Sequence, residues 1–497
     1  MLAKPFITRS DMISCALCKD APCSSACPAM DPAGALLGIW LDNQDTAAMK
    51  LPDGNPCAEC EAPCEVACVT KGSVPVKRLM TDLYEKVRPA VEIAVPDSEE
   101  RLKCDLCGKT LENPFLLSSS VVASTYDMCA RAFEAGWAGA CFKTICTLDI
   151  HEASPRFSAI KGDNGSIIGF KNIEQLSDHS VAENMEIFRR LKLNYPSKFI
   201  MASIMGQDEA EWEELAKLCE ENGADAVELN FSCPNMQDDG LGSDIGQVPE
   251  LVERFTKAAK RSTTIPVLAK LTPNVAVMSP AAEAALRGGA DGIAAINTIK
   301  SIVGVSPYTY VSAPAVKGKS AVGGYSGTAV KPIALRFIAE IGQNPNLKGM
   351  HISGMGGIET WRDALEFILM GAGSIQITTA VMQYGYRIID NLKEGLNYYL
   401  AQMGIISVKD IIGAGLDSVS DTTDVLNRDT ILFPAFDLAK CNGCGRCVIS
   451  CNDGGHQAIG FNDRKPKLDG SKCVGCHLCR LVCPEGAVAA GKKRIKA

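Results

Sequence analysis

The sequence predicts an α/β fold, a (β/α)8 TIM barrel with a cysteine-dense domain at each end, on three observations. From Asn113 onward, eight apolar runs of strand length alternate with helical stretches. The 23 cysteines gather at the ends, eight between Cys15 and Cys68 and eight between Cys441 and Cys483, leaving seven for the long middle. A chain of 497 residues also exceeds one ordinary core. The expected division is a helical cysteine-rich domain at 1–100, the barrel at 101–404, a linker at 405–435 and a second cysteine-rich domain at 436–497.

The eight runs are 114–119, 140–145, 199–205, 226–232, 266–271, 292–298, 349–353 and 374–379, with helical periodicity between them at 209–222 and 280–288. Eight β-α units over about 280 residues match a TIM barrel. The alternative, a doubly wound sheet, would open its first helix with Gly-x-Gly-x-x-Gly, and no such turn follows the first strand.

Chemistry in such a barrel sits at the strands' carboxyl ends. In Ala226-Val-Glu-Leu-Asn-Phe-Ser-Cys-Pro-Asn235, apolar Val227, Leu229 and Phe231 alternate with polar Glu228, Asn230 and Ser232, and Cys233 follows at the lip. Pro234 stops the pairing, and an Asp- and Gly-rich loop runs from Met236 to Gly246. A lone cysteine is usually structural and buried. Here Asn230, Asn235 and, from the sixth strand end, Asn297 and Thr298 accompany it, and buried carboxamides need partners that a planar cyclic amide would supply.

Strands seven and eight run into Ser353-Gly-Met-Gly-Gly357 and Gln376-Ile-Thr-Thr379, and Gly323-Gly-Tyr-Ser-Gly-Thr328 precedes a helix expected near Ala329. Glycines there let backbone N–H groups approach a phosphate, which implies a phosphate-bearing cofactor such as FMN. Gly354, Gly356, Gly357, Ser326, Gly327, Thr328, Gln376, Thr378 and Thr379 are the expected contacts. Lys143 and Lys270 stand at strand ends, where a lysine needs an anionic partner to stay charged. The N1–C2=O edge of a reduced flavin would serve, and snorkelling to solvent is the alternative.

A net charge of −8 and a pI near 5.4 argue against nucleic acid as a partner. No run of 18 apolar residues suggests a membrane span, and Met1-Leu-Ala-Lys-Pro-Phe does not read as a secretory signal. In the cytoplasmic setting this suggests, 23 cysteines point to metal clusters before disulfides.

The N-terminal cysteines fall into Cys15-x2-Cys18-x4-Cys23-x3-Cys27-Pro28 and Cys57-x2-Cys60-x3-Cys64-x3-Cys68. Eight thiolates in two tight groups suit two [4Fe-4S] clusters, with four-cysteine zinc sites as the rival. Between the groups, 32–50 reads as one amphipathic helix with Leu36, Leu37, Trp40 and Leu41 on one side. At the other end, Cys441-x2-Cys444-x2-Cys447-x3-Cys451 and Cys473-x2-Cys476-x2-Cys479-x3-Cys483-Pro484 have the spacing of two-cluster ferredoxins. In those, the fourth cysteine ligates the other cluster, so Cys451 joins Cys473, Cys476 and Cys479, and Cys483 joins Cys441, Cys444 and Cys447. Cys104 and Cys107 read as structural.

The first cysteine group resembles the N-terminal iron-sulfur domain of dihydropyrimidine dehydrogenases and of the glutamate synthase small subunit. That resemblance implies one cluster on Cys15, Cys18, Cys23 and Cys68 and another on Cys27, Cys57, Cys60 and Cys64. The mammalian enzymes use a glutamine ligand from the following helix; Val74–Thr81 here has none. The barrel resembles the FMN domain of dihydropyrimidine dehydrogenase, a relative of the dihydroorotate dehydrogenases. The resemblance covers essentially the whole barrel and rests on Asn230-Phe-Ser-Cys-Pro234, Ala269-Lys-Leu-Thr-Pro-Asn274, Ile296-Asn-Thr298, Ser326-Gly-Thr328 and Arg131-Ala-Phe-Glu-Ala-Gly-Trp137.

It implies that Cys233 is catalytic, that Asn172, Glu174, Asn230, Ser232, Asn235, Asn297 and Thr298 bind a pyrimidine base, and that Ser119 joins the FMN contacts. Asn172-Ile-Glu174 follows the pyrimidine-reductase pattern and not the Asn-x-x-Gly-Leu of dihydroorotate dehydrogenases. Asp238 and Asp239, in the loop after Cys233, replace a more basic segment. By the family's mechanism, reduced FMN delivers hydride from N5 to C6 while Cys233 protonates C5, reducing the 5,6 double bond of uracil or thymine. No Rossmann fingerprint is present, so electrons are expected from a separate FAD- and NAD(P)H-binding subunit or a ferredoxin, in a homodimer or heterotetramer. The rival readings are a dihydroorotate dehydrogenase or other FMN-dependent cyclic-amide oxidoreductase, and an electron-transfer subunit with the barrel as scaffold.

Overall fold

The computed structural model describes residues 6–70, 74–91, 99–162, 165–236 and 241–495. They fall into two compact units, Met1–Ser418 and Val419–Ala497.

Eight strands close a barrel in the first unit: β1 Phe115–Leu117, β2 Gly139–Ile145, β3 Phe199–Ile204, β4 Ala226–Asn230, β5 Val267–Lys270, β6 Gly292–Ala295, β7 His351–Gly354 and β8 Ser374–Ile377. Each pairs in parallel with the next in sequence, and β8 returns to β1. All eight expected runs are strands. Several end early because residues such as Phe231–Asn235 and Ile296–Thr298 leave the ladder to shape the mouth. Helices cover the outer face, so strands such as β2, β3 and β4 are buried throughout. Among their polar residues, Ser203, Glu228, Lys270, Ser353, Ser374 and Gln376 are at most 2% exposed, and Glu228 accepts from both Lys270 and Gln376 inside the barrel.

A hairpin of Cys104–Leu106 with Lys109–Leu111 precedes β1. Cys107 Sγ donates to the Asp291 carbonyl at 3.4 Å, just ahead of β6, which ties the hairpin to the amino ends of the barrel strands. Burial pushes both thiols to about 12, as suits structural cysteines.

The periodicity did not announce a four-stranded antiparallel sheet, in the order Ile299–Ser301, Gly323–Ser326, Ile167–Asn172, Phe157–Lys161. Gly323–Ser326, expected only as part of the stretch that precedes a helix, is its second strand. A 3-10 turn at Thr328–Val330 then leads into the helix Lys331–Gln343.

The N-terminal helices are short. The single helix expected over 32–50 is two, Pro32–Trp40 and Gln44–Met49, broken where Asp42 turns left-handed at φ 59°. Barrel residues hold that break: Trp361 Nε1 donates to the Asp42 carbonyl at 2.9 Å, and Asn43 Nδ2 donates to the Asn391 carbonyl at 3.3 Å. The first helix is buried on nearly every side, not on one stripe. Arg9 adds a further tie, donating to the Trp40 carbonyl at 2.6 Å and pairing with buried Glu359 of the barrel at 3.2 Å.

The expected linker is shorter than 405–435. Gly413 and Gly415 N–H groups donate to Ile368 and Leu369 carbonyls, so residues to Ser418 belong with the barrel. At the other side, Thr430–Phe436 is already a strand of the second unit, paired with Val488–Ile495. That unit adds the hairpin Ile459–Asn462 with Lys465–Leu468 and the helices Arg446–Gly454 and Leu478–Leu481.

Candidate functional site

A cavity opens at the carboxyl ends of the barrel strands, enclosing about 1130 Å³ with its mouth. Of the expected residues, Cys233, Asn172, Glu174, Asn230, Asn235, Asn297, Thr298, Ser119, Lys143, Lys270, Ser326, Gly327, Gly356, Gly357, Gln376, Thr378 and Thr379 all line it.

Three expected contacts do not. Ser232 is fully buried behind the wall, donating to Asn230 Oδ1 at 2.8 Å and accepting from Asn297 Nδ2 at 2.8 Å. Thr328 faces out and donates to the Ile168 carbonyl at 3.2 Å. Gly354 has the outward parity of β7, and a Cβ there would meet Ala372 and Phe367 at 2.9 Å. Asp238 and Asp239 lie outside the described residues.

The carboxamides form a connected frame. Asn230 Nδ2 donates to Thr144 Oγ1 at 2.8 Å, and Thr144 shares bonds with Ser203 at 2.9 Å and Ser119 at 3.1 Å. Asn230 thus both lines the cavity and braces its neighbours. Asn172, on the unforeseen sheet, accepts from Asn235 Nδ2 at 3.0 Å, and Asn235 also donates to the Glu174 carbonyl at 2.7 Å. Asn235 Oδ1 and Gln376 Oε1 are buried with no protein partner. An occupant with ring N–H donors would satisfy both.

Cys233 follows the end of β4, its carbonyl accepting from the Ser243 N–H at 2.9 Å. Burial raises its thiol to about 11; the Asn235 N–H and the charge on Lys270 pull the other way but do not prevail. The group is therefore protonated at neutral pH, on the same wall as the carboxamides.

The two lysines already have carboxylate partners, which sequence reading missed. Lys143 bonds Glu174 at 3.1 Å and Glu152 at 3.4 Å, and Arg156 lies 3.7 Å from Glu174 and 4.0 Å from Glu152. Burial raises the Glu174 carboxyl against the pull of Lys143. Lys270 pairs with fully buried Glu228 at 3.1 Å. The Lys143 group is charge-balanced, and so is the Lys270 pair.

Gly327, Gly356 and Gly357 all have positive φ, 90°, 127° and 79°. A Cβ at Gly357 would meet the Gly327 carbonyl at 2.7 Å and the Lys331 nitrogen at 2.9 Å. Such bare backbone, ringed by Ser326, Thr378 and Thr379, fits a phosphate.

Three further cavities are lined by cysteines. In the first unit Cys15, Cys18, Cys23 and Cys68 share one with Arg387, which donates to the Leu17 and Cys18 carbonyls at 2.8 and 3.2 Å. Cys27 lies close enough to Cys57 and Cys64 for their charges to act on one another, and Cys57 feels Cys60 likewise. In the second unit Cys451, Cys473, Cys476 and Cys479 line one cavity and Cys441, Cys444, Cys447 and Cys483 the other. All 23 cysteines are free thiols, and among the described residues no three metal-binding side chains converge on a single-ion site.

The profile of the dihydroorotate dehydrogenase family matches residues 101–400, the whole barrel. The chain belongs to the dihydroorotate dehydrogenase family. The 4Fe-4S dicluster domain matches residues 435–489, so this member of the family carries a cluster-binding domain after its flavin barrel. It is 51% identical over 363 residues to the NAD-dependent dihydropyrimidine dehydrogenase subunit PreA of Escherichia coli (strain K12), covering 73% of this chain and 88% of that one. To the chloroplastic dihydropyrimidine dehydrogenase (NADP(+)) of Arabidopsis thaliana it is 36% identical, covering 67% and 81%. To the catalytic subunit of dihydroorotate dehydrogenase B (NAD(+)) of Pyrococcus abyssi it is 39% identical, covering 63% and 99%. The solved structure of DHODH from Eimeria tenella with ferulenol shares the fold, with TM-score 0.53 at 19% identity over 65% of this chain and 90% of that one.

The crossed sharing of cysteines in the second unit makes an expected result for this family member. Cys451→Ala removes the signal of one cluster and spares the other in EPR spectra of the dithionite-reduced protein; equal loss of both would contradict the crossed arrangement.

Proposed function

We propose that the barrel cavity binds FMN and reduces the 5,6 double bond of an uncharged pyrimidine, uracil or thymine. The chemistry is that of an oxidoreductase acting on CH–CH groups. The observation that carries the reading is Cys233, a thiol held protonated by burial on the wall that Asn172, Asn235, Asn297 and Thr298 also form.

FMN, when bound, supplies the hydride. Gly327, Gly356, Gly357, Ser326, Thr378 and Thr379 would hold its phosphate, and Lys143, Lys270, Gln376 and Ser119 its ring. Asn172, Asn235, Asn297 and Thr298 offer paired donors and acceptors that orient a cyclic amide in one plane, with Asn230 and Ser232 bracing them from behind. Cys233 Sγ gives its proton to the carbon beside the one that takes the hydride. Glu174 gives its backbone carbonyl to Asn235 and its carboxylate to Lys143.

The N-terminal cysteines complete the proposal: one [4Fe-4S] cluster on Cys15, Cys18, Cys23 and Cys68, the other on Cys27, Cys57, Cys60 and Cys64. Four thiolates around a cavity suit a cluster better than a zinc ion, which draws its ligands to one point. Electrons come from an FAD- and NAD(P)H-binding subunit or a ferredoxin, in a homodimer or heterotetramer. A cytoplasmic setting, which keeps thiols reduced, belongs to the same reading. Among the described residues no helix is long and apolar enough to cross a membrane.

The dihydroorotate reading is tested by charge. Its substrate carries a carboxylate that needs a free cation, whereas Lys143 and Arg156 are balanced by Glu152 and Glu174. Glu152→Gln is expected to tighten orotate binding about tenfold, ~1.4 kcal/mol, with little change for uracil, as measured by perturbation of the flavin spectrum. In the wild type, flavin reduction by dihydroorotate with no response of the reduced protein to uracil would move the assignment to dihydroorotate.

A further inference from the structure

Glu228 is fully buried in the barrel interior and is not part of the cavity wall. Its two carboxylate oxygens are divided between residues that are. Oε1 accepts from Lys270 Nζ on the neighbouring strand β5 at 3.1 Å, and Oε2 accepts from Gln376 Nε2 on β8, across the barrel, at 3.1 Å. One side chain therefore bonds two wall residues from separate strands of the barrel, β5 and β8.

The side chains hydrogen-bonded onward from this pair are neutral. Gln376 Nε2 also donates to Ser353 Oγ at 3.0 Å, Ser374 Oγ donates to Ser353 Oγ at 2.9 Å, and His351 Nε2 meets Ser374 Oγ at 2.9 Å. Burial lowers His351 to about 4, so it is neutral. Cys141, whose thiol contacts Glu228, is held protonated by burial first and by that carboxylate second. Within this network Lys270 and Glu228 are the charged pair, and Gln376 Oε1 is left buried without a partner.

We propose that Glu228 is a positioning residue that sets the reduction potential of the flavin, by cancelling the charge on Lys270 and aiming Lys270 and Gln376 at the ring. The inference rests on the cavity's binding FMN, as argued above. A reduced flavin carries more negative charge than an oxidised one, so an uncompensated lysine beside it favours the reduced form. In a water-poor interior that attraction is felt far more strongly than in bulk water.

The test is a dye-coupled spectroelectrochemical titration of the cluster-replete holoenzyme and its Glu228→Gln and Glu228→Asp variants, with FMN content checked for each. Glu228→Gln is expected to move the FMN midpoint to a more positive potential and to slow reoxidation by uracil, while Glu228→Asp returns both toward wild type. Should Glu228→Gln fail to fold, Lys270→Met carries the test, with a shift to more negative potential expected. Full FMN occupancy with an unmoved potential in the variant measured would overturn the proposal. Wild-type protein that holds FMN but ignores uracil would defeat the substrate reading while leaving the potentials free to decide this one.

Discussion

Cys233→Ala is expected to slow reoxidation of the reduced flavin by uracil roughly 10²–10⁴-fold, the usual worth of a positioned general acid. Uracil binding should be nearly unchanged, because the carboxamides that orient the ring do not include the thiol. Cys233→Ser should stay slow, since a hydroxyl is a far weaker acid than a thiol. The pH dependence follows from burial. The proton-donating form persists below a thiol pKa of about 11, so the wild-type rate should show no cysteine-linked decline between pH 7 and 9. An ordinary thiol would begin to lose its proton near pH 8.5. Stopped-flow traces across that range distinguish the two. Run in reverse as a base, the same thiol would have to ionise against its burial, which favours reduction as the working direction.

Gly357→Ala is expected to purify with most of its FMN lost and its clusters retained. The residue has φ 79°, where a side chain costs about 1–2 kcal/mol. The added carbon would also press on the Gly327 carbonyl and the Lys331 nitrogen, both backbone, which cannot swing aside. Both effects close the cradle against a phosphate. Flavin and cluster absorbance of the same sample, read as a ratio to wild type, gives the answer. An unchanged ratio would mean that the phosphate sits elsewhere.

What the sequence made legible follows from what its patterns encode. Eight buried strands announce themselves because helices cover their outer faces, and the Cys233 lip stands out because a polar cluster ends an apolar run. The C-terminal cysteine spacing grouped Cys451 with Cys473, Cys476 and Cys479, and Cys483 with Cys441, Cys444 and Cys447, and each foursome lines one cavity.

The sheet that carries Asn172 stayed hidden: Phe157–Lys161 and Ile167–Asn172 are half-exposed and lack a strict alternation. Glu152 and Glu228 were missed as partners because ion pairing joins residues 9 and 42 positions from their lysines, a relation no local pattern holds. Gly354 was within reach. Ser353 points inward on β7, so its neighbour must point out, and strand parity alone would have removed it from the cofactor contacts.

The most direct measurement is a single turnover. The cluster-replete protein is reduced anaerobically with dithionite, freed of excess reductant and mixed with uracil, and both flavin reoxidation and dihydrouracil are quantified. The account predicts rapid reoxidation with dihydrouracil formed in step with the electrons lost. A flavin that stays reduced, or reoxidises with no dihydrouracil, would contradict it.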